Sequence, residues 1–245
     1  MIKTFRGCRM IITKQKNLEE ITGMLQGSEK VAIIGCGGCV TFYKTGGRKQ
    51  TIEMAEKLRE KGIDVVATGI SARQCYLMEE KEAEALDNSE IIKKVARSIE
   101  GLEEAEGIDA VVSLACGVGV QNLANLIDTP VFPAQNTLFM GRRRVEGDFD
   151  IEQCIGCGDC VLGYTAGICP VTRCAKSLMN GPCGGVFNGN CEVSQSRVSE
   201  YDVPCAWIQI YEKLKANGKL DNMRRIFPEK DFIRATHMRK VEVEE

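Results

Sequence analysis

From about residue 18 to residue 135, short apolar runs alternate with longer stretches in which apolar residues return every three or four positions. This alternation predicts parallel strands joined by helices, an open α/β sheet. Val31 to Ile34 reads as a first buried strand, and Thr51, Met54, Ala55 and Leu58 then repeat at helical spacing until Gly62. Val65 to Ala67 starts a second strand. Ile91, Ile92, Val95, Ala96, Ile99 and Leu102 fall on one face of another helix, and Ala110 to Ala115 reads as a third strand. Leu123, Ala124 and Ile127 mark a third helix, with Pro130-Val131-Phe132 a short fourth strand after it.

The pattern then changes. Residues 1–141 make up the α/β domain, and residues 142–150 are charged and aperiodic, as expected of a linker. Residues 151–206 carry eight cysteines and many glycines but too few aliphatic side chains for a core of their own, so this module needs a staple to fold. Residues 207–245 begin with an amphipathic helix through Trp207, Ile208, Tyr211 and Leu214 and end in a charged tail, Val241-Glu242-Val243-Glu244-Glu245.

The 245 residues, 44% of them hydrophobic, suffice for one domain of ordinary size and a smaller second one. A formal net charge of −2, from 32 Lys and Arg against 34 Asp and Glu, supplies no bulk field for nucleic acid or an anionic membrane. No apolar run approaches the roughly 20 residues of a membrane span. Met1 to Ile12 mixes Lys3, Arg6 and Arg9 with isolated apolar residues, unlike a secretory signal. A soluble, cytoplasmic protein is expected.

Thirteen cysteines stand against a single histidine, His237, so thiolates must dominate any metal site. The odd count and the expected reducing compartment argue against a disulfide framework. Cys154-x-x-Cys157-x-x-Cys160 sets three thiols on one tight loop, and Gly156 and Gly158 let the backbone curl with its amides toward sulfur. Zinc sites more often take their ligands as two separated pairs, so the triplet favours an iron–sulfur cluster. A ferredoxin closes such a run with Cys-Pro after three residues; here Cys169-Pro170 follows after eight, so the likeness is local.

With Cys174, Cys183, Cys191 and Cys205 the count reaches eight, enough for two four-cysteine [4Fe-4S] clusters. The triplet would take a distant fourth thiol, and Cys174, Cys183 and Cys191 would belong mainly to the other cluster. Spacing leaves Cys169 and Cys205 unassigned. The plainer alternative is a single cluster or zinc site, with the remaining thiols buried as small hydrophobes.

Cys36-Gly-Gly-Cys39 directly follows the first strand, Cys75 lies just beyond the second and Cys116 just after the third. In an open α/β sheet these positions share the carboxyl edge, where loops form a crevice. Four cysteines from three loops would meet there and hold a third cluster or a zinc ion; the alternative is unrelated buried thiols. The loop is not a GxGxxG fingerprint and does not predict a nucleotide. Lys44, Arg48 and Arg73 lie near the same edge, either tuning a reduced cluster or simply solvated, while Cys8 has no partner at ligand spacing.

The stretch from Cys160 through Cys169-Pro170 and Cys174 to Asn180-Gly-Pro-Cys183-Gly-Gly185 resembles the C-terminal module of bacterial methylenetetrahydrofolate reductases. Cys36-Gly-Gly-Cys39-Val40 and the later Arg73-Gln74-Cys75 resemble the separate V subunit of the two-subunit enzyme of acetogenic bacteria. The resemblance implies a non-catalytic subunit that relays electrons from ferredoxin, or another low-potential donor, to the flavin of a β/α-barrel catalytic subunit making methyltetrahydrofolate. It places that subunit in the cytoplasm, in the reductive acetyl-CoA pathway of one-carbon metabolism.

The resemblance also implies a cluster-ligand role for Cys36, Cys39, Cys75 and Cys116 and for the eight C-terminal cysteines, with zinc considered beside the clusters. No catalytic, folate or flavin residue carries over, and a barrel of about 250 residues does not fit beside the cysteine module. Two alternatives stand against it: a zinc-binding structural adaptor of the same complex, and an independent enzyme with an open iron site. No general acid or base supports the latter.

Overall fold

A computed structural model describes residues 10–78, 80–143, 150–194 and 202–230. Cys8, His237, residues 144–149 of the expected linker and the charged end of the tail lie outside them. The chain divides into two compact units, residues 1–142 and 143–245.

The first unit runs β1 (Ile11–Gln15), α1 (Leu18–Met24), β2 (Val31–Cys36), α2 (Cys39–Phe42), α3 (Arg48–Glu60), β3 (Val65–Ser71) and α4 (Glu80–Ala83). It continues with α5 (Asn88–Val95), β4 (Arg97–Glu100), β5 (Ala110–Ser113), α6 (Gly117–Ala124), β6 (Val131–Pro133) and β7 (Gln135–Arg143). Five strands form one sheet in the order β4-β3-β2-β5-β6, parallel throughout except for β4, which runs antiparallel to β3. All six residues of β2 are buried, because helices cover both faces of this central strand. Ala32 and Ile34 pack with Ile91, Ile92 and Leu123 on one face; Val31 and Ile33 pack with Ile21, Met54 and Leu58 on the other.

Several features differ from the sequence expectation. The helix predicted through Leu102 stops at Val95, and Arg97–Glu100 becomes the antiparallel edge strand β4. Helix α5 itself is set by a capping box: the Glu90 amide donates to Asp87 Oδ1 (2.9 Å) and the Asp87 amide to Glu90 Oε2 (3.0 Å). Outside the sheet, β1 pairs antiparallel with β7, two strands that the α/β pattern did not predict. Strand β7 also takes in Arg142 and Arg143, which the aperiodic charge had assigned to a linker.

The second unit contains β8 (Asp150–Cys154), α7 (Pro170–Arg173), a 3-10 turn at Glu192–Ser194, α8 (Ala206–Ala216) and a 3-10 turn at Leu220–Arg224. Its core is small: Trp207, Ile210 and Leu214, with Ala166, Ile168, Cys174, Cys205 and Met223 packed around them. The buried stripe of α8 thus follows Trp207, Ile210 and Leu214, while Tyr211, expected on that face, is exposed. Among the described residues no helix is long and apolar enough to cross a membrane.

Candidate metal centres

Three adjacent parallel strands, β3, β2 and β5, end at one edge, and each delivers cysteine there. Cys36 is the last residue of β2, Cys39 the first of α2, Cys75 follows β3 in its loop, and Cys116 caps the start of α6 after β5. All four line one cavity of about 250 Å³. Its other walls are mainly apolar, including Val40, Ala115, Val118 and Met140. Cys36 is buried, Cys39 and Cys116 half-buried, and Cys75 exposed. Of the three cationic side chains noted near this edge, Arg73 lines the cavity; Lys44 and Arg48 are exposed and do not.

The β1–β7 pair closes one side of this cavity with Met10, Ile11 and Met140. Thr45, in the turn after α2, fastens the cysteine loop to that pair: its carbonyl accepts from Gln15 Nε2 (2.6 Å) and Gln135 Nε2 (2.5 Å). From β7, Thr137 Oγ1 accepts from the Gly117 amide (2.8 Å), beside Cys116. Gly37 has a steric role here. A Cβ at that position would lie 2.9 Å from the Ala72 carbonyl oxygen, so the glycine permits β2's exit to approach the end of β3.

Gln74 holds the site together, a role that the Arg73-Gln74-Cys75 resemblance did not assign to it. It is fully buried. Its Nε2 donates to the carbonyls of Ile34 (3.0 Å) and Gly35 (3.1 Å), and its Oε1 accepts from Ser113 Oγ (2.6 Å). Its backbone carbonyl accepts from Asn122 Nδ2 (3.0 Å), and its amide donates to Cys36 Sγ (3.4 Å). One side chain therefore ties the ends of β2 and β5 to the loop carrying Cys75. The available signal was a buried-capable amide directly before a ligand-type cysteine.

Burial pushes the Cys36 thiol above its ordinary range. The Gln74 and Gly38 amides, donating to the sulfur, pull the other way, while Cys75 and Cys116 add smaller upward pushes.

In the second unit, Cys174, Cys183, Cys191 and Cys205 line a single compact cavity of about 20 Å³ beside Trp207. Helix ends present two of them: Cys174 closes α7 and Cys205 caps α8. The Gly185 amide donates to Cys183 Sγ (3.4 Å). Lys176, on the same cavity, pairs with Glu192 and is pushed up in pKa, first by that hydrogen bond and also by Cys183.

The triplet lies elsewhere in this unit. Cys154 ends β8, and the loop beyond it carries Cys157 and Cys160, with Gly156 and Gly158 in the left-handed region at φ +67° and +77°. The Gly156 amide donates to Cys154 Sγ (3.3 Å). Cys169 caps α7, which packs against β8, the strand ending in Cys154. It does not line the cavity of the other four.

All twelve described cysteines are free thiols. Among the described residues, no three His, Cys, Asp or Glu side chains already converge on a point that would hold a metal ion. The donor sets nonetheless suit thiolate-ligated centres: the four-cysteine cavities contain no histidine or carboxylate among their lining residues, and amide-to-sulfur hydrogen bonds reach Cys36, Cys154 and Cys183. The cavity at Cys36 is the roomier of the two, about 250 Å³ against about 20 Å³ at Cys174.

Residues 132–233 match the family described as Methylene-tetrahydrofolate reductase C terminal. The matched stretch contains all eight C-terminal cysteines and Asn180-Gly-Pro-Cys-Gly-Gly185, and leaves Cys36, Cys39, Cys75 and Cys116 outside. This part of the chain is similar to the C-terminal region of those reductases. No curated protein and no solved structure matches the chain.

Proposed function

We propose that this chain is the iron–sulfur electron-transfer subunit of a methylenetetrahydrofolate reductase, acting in the cytoplasm beside a separate flavin-containing catalytic subunit. The observation that carries the reading is the reductase C-terminal match over residues 132–233, which encloses two groups of four thiols. When bound, [4Fe-4S] clusters accept electrons singly from ferredoxin or a similar low-potential donor and hand them on to a flavin.

The chain's own residues divide into three ligand sets. Cys154, Cys157 and Cys160 form the first with Cys169, because α7 lies against β8 and Cys205 is taken up elsewhere. Cys174, Cys183, Cys191 and Cys205 form the second, in a ferredoxin-like module stapled by its metal rather than by a large core. Cys36, Cys39, Cys75 and Cys116 form the third, held in register by Gln74.

One observation favours a second reading for the second set. Its four thiols, with no histidine or carboxylate among the residues lining the cavity, are also the donor set of an all-cysteine structural zinc site. Anaerobic purification with iron, sulfide, zinc and flavin quantified per chain decides between them. Iron and sulfide sufficient for at least two clusters, a broad visible thiolate-to-iron absorption and donor-dependent reduction support the proposal. A colourless chain holding zinc alone overturns it in favour of the adaptor.

A further inference from the structure

Residues 225–230, within the stretch expected to be a helix and a charged tail, pack as a strap against Tyr164, Asn180 and, at Lys230, the triplet loop. The guanidinium of Arg225 stacks on Tyr164, 4.0 Å from the ring centroid. Asn180, from the Asn-Gly-Pro-Cys-Gly-Gly stretch, clamps Phe227 at both backbone groups: Asn180 Nδ2 donates to the Phe227 carbonyl (2.9 Å), and the Phe227 amide donates to Asn180 Oδ1 (2.7 Å). The Phe227 and Tyr164 rings meet at 5.7 Å.

The strap ends on Lys230. Its ammonium donates to the backbone carbonyl of Asp159, the residue between Cys157 and Cys160, and lies 3.5 Å from Asp159 Oδ2. The Lys230 side chain is 4% exposed, whereas that of Asp159 is 53% exposed. A buried ammonium loses its hydration, and a half-solvated carboxylate returns little of that cost. The thiolates of a centre held by Cys154, Cys157 and Cys160 would add negative charge to the loop that contains Asp159.

We propose that Lys230 sets the reduction potential of the centre held by Cys154, Cys157 and Cys160, by fixing a desolvated positive charge at the loop between its second and third thiols. The inference rests on the iron–sulfur reading above. Reduction adds an electron to an already anionic thiolate-ligated centre, so a nearby fixed cation stabilises the reduced state and raises the potential. Low dielectric around the buried side chain strengthens the effect relative to an exposed lysine. Asp159 acts in the opposite sense, with its carboxylate partly screened by water.

The test is an EPR-monitored redox titration of the full chain, purified anaerobically, as wild type and as Lys230→Met, Lys230→Arg and Asp159→Asn. The signal of the triplet centre is identified by its loss in Cys157→Ala. Lys230→Met is expected to shift its midpoint to more negative potential, Lys230→Arg to restore it, and Asp159→Asn to shift it to less negative potential. Opposed shifts separate a charge effect from a packing effect, since a merely structural role gives no sign reversal. If Lys230→Met loses the centre, Lys230→Gln, which keeps an N–H donor for the Asp159 carbonyl without the charge, carries the test and is expected to shift the midpoint in the same negative direction. Clusters present with an unmoved midpoint in Lys230→Met or Lys230→Gln, or shifts of one sign in the Lys230 variants and Asp159→Asn, overturn this inference alone. A wild-type chain that binds no iron overturns it together with the proposed function.

Discussion

Gln74 and Cys36 are joined by a backbone amide donating to sulfur at 3.4 Å, while the same Gln74 reaches through its side chain to the carbonyls of Ile34 and Gly35 just ahead of that cysteine. The residue before Cys75 therefore sets the position of Cys36 on the neighbouring strand. Gln74→Leu keeps much of the volume but strips partners from Ser113 and from two strand-end carbonyls. The expected loss is about 3 kcal/mol of stability, read by chemical denaturation, with metal lost from the N-terminal set and retained in the C-terminal sets. An unchanged midpoint of unfolding with full metal content would show that Gln74 is dispensable.

The Cys36 thiol gives the metal-free chain a specific pH dependence. Its folded value is raised, chiefly by burial, so above the ordinary thiol range the unfolded chain releases a proton that the folded chain retains. Stability is then fully present below about pH 8.5, the ordinary value, and is lost as pH rises through the folded value. Thermal melts of the metal-free protein should decline from pH 8 upward, and Cys36→Ala should flatten that decline. A decline of equal slope in the variant would assign it to other groups.

Much of the first unit was legible in the sequence, because strands buried on both faces leave continuous apolar runs and their helices leave a three-to-four repeat. Val31 to Ile34 and the Thr51, Met54, Ala55, Leu58 stripe follow that logic directly. The stripe through Leu102 misled for a physical reason. Ile91 and Ile92 are buried from a helix, but Leu102 reaches the same core from beyond an edge strand, and periodicity alone does not separate the two routes. Gly69 and Ile70 of β3 had an open edge that Arg97 and Ser98 could pair with, a tertiary opportunity invisible in a local window.

For the candidate sites, the gathering of Cys36, Cys39, Cys75 and Cys116 at one edge followed from strand order alone. The grouping of Cys205 with Cys174 did not, since it depends on α8 docking its first turn against α7. Lys230 was illegible for the same reason: a lysine in a charged stretch reads as solvated until the fold buries it.

Trp207 should carry a disproportionate share of the second unit's stability. It is one of three side chains at the centre of a small core, and its Nε1 donates to the Leu178 carbonyl (2.9 Å). Trp207→Phe is expected to cost about 1 kcal/mol through that hydrogen bond, and Trp207→Ala about 3–5 kcal/mol through the cavity it leaves. Amide exchange in α8 reads both. Equal protection in the two variants would mean that packing around Ile210 and Leu214 is sufficient.

The division of the eight C-terminal cysteines is testable by non-additivity. Residues that serve one centre fail together, so a second substitution in the same set removes little more metal, whereas substitutions in different sets add. Cys191 and Cys205 share a cavity that Cys169 does not line. Cys191→Ala and Cys205→Ala, alone or combined, should therefore each remove one centre and leave the other. Combining Cys205→Ala with Cys169→Ala should remove both. Metal and sulfide per chain supply the count, and EPR shows which centre persists. If Cys169→Ala and Cys205→Ala instead behave as one set, the thiols exchange partners between the two centres, and the cavity at Trp207 is not a ligand set.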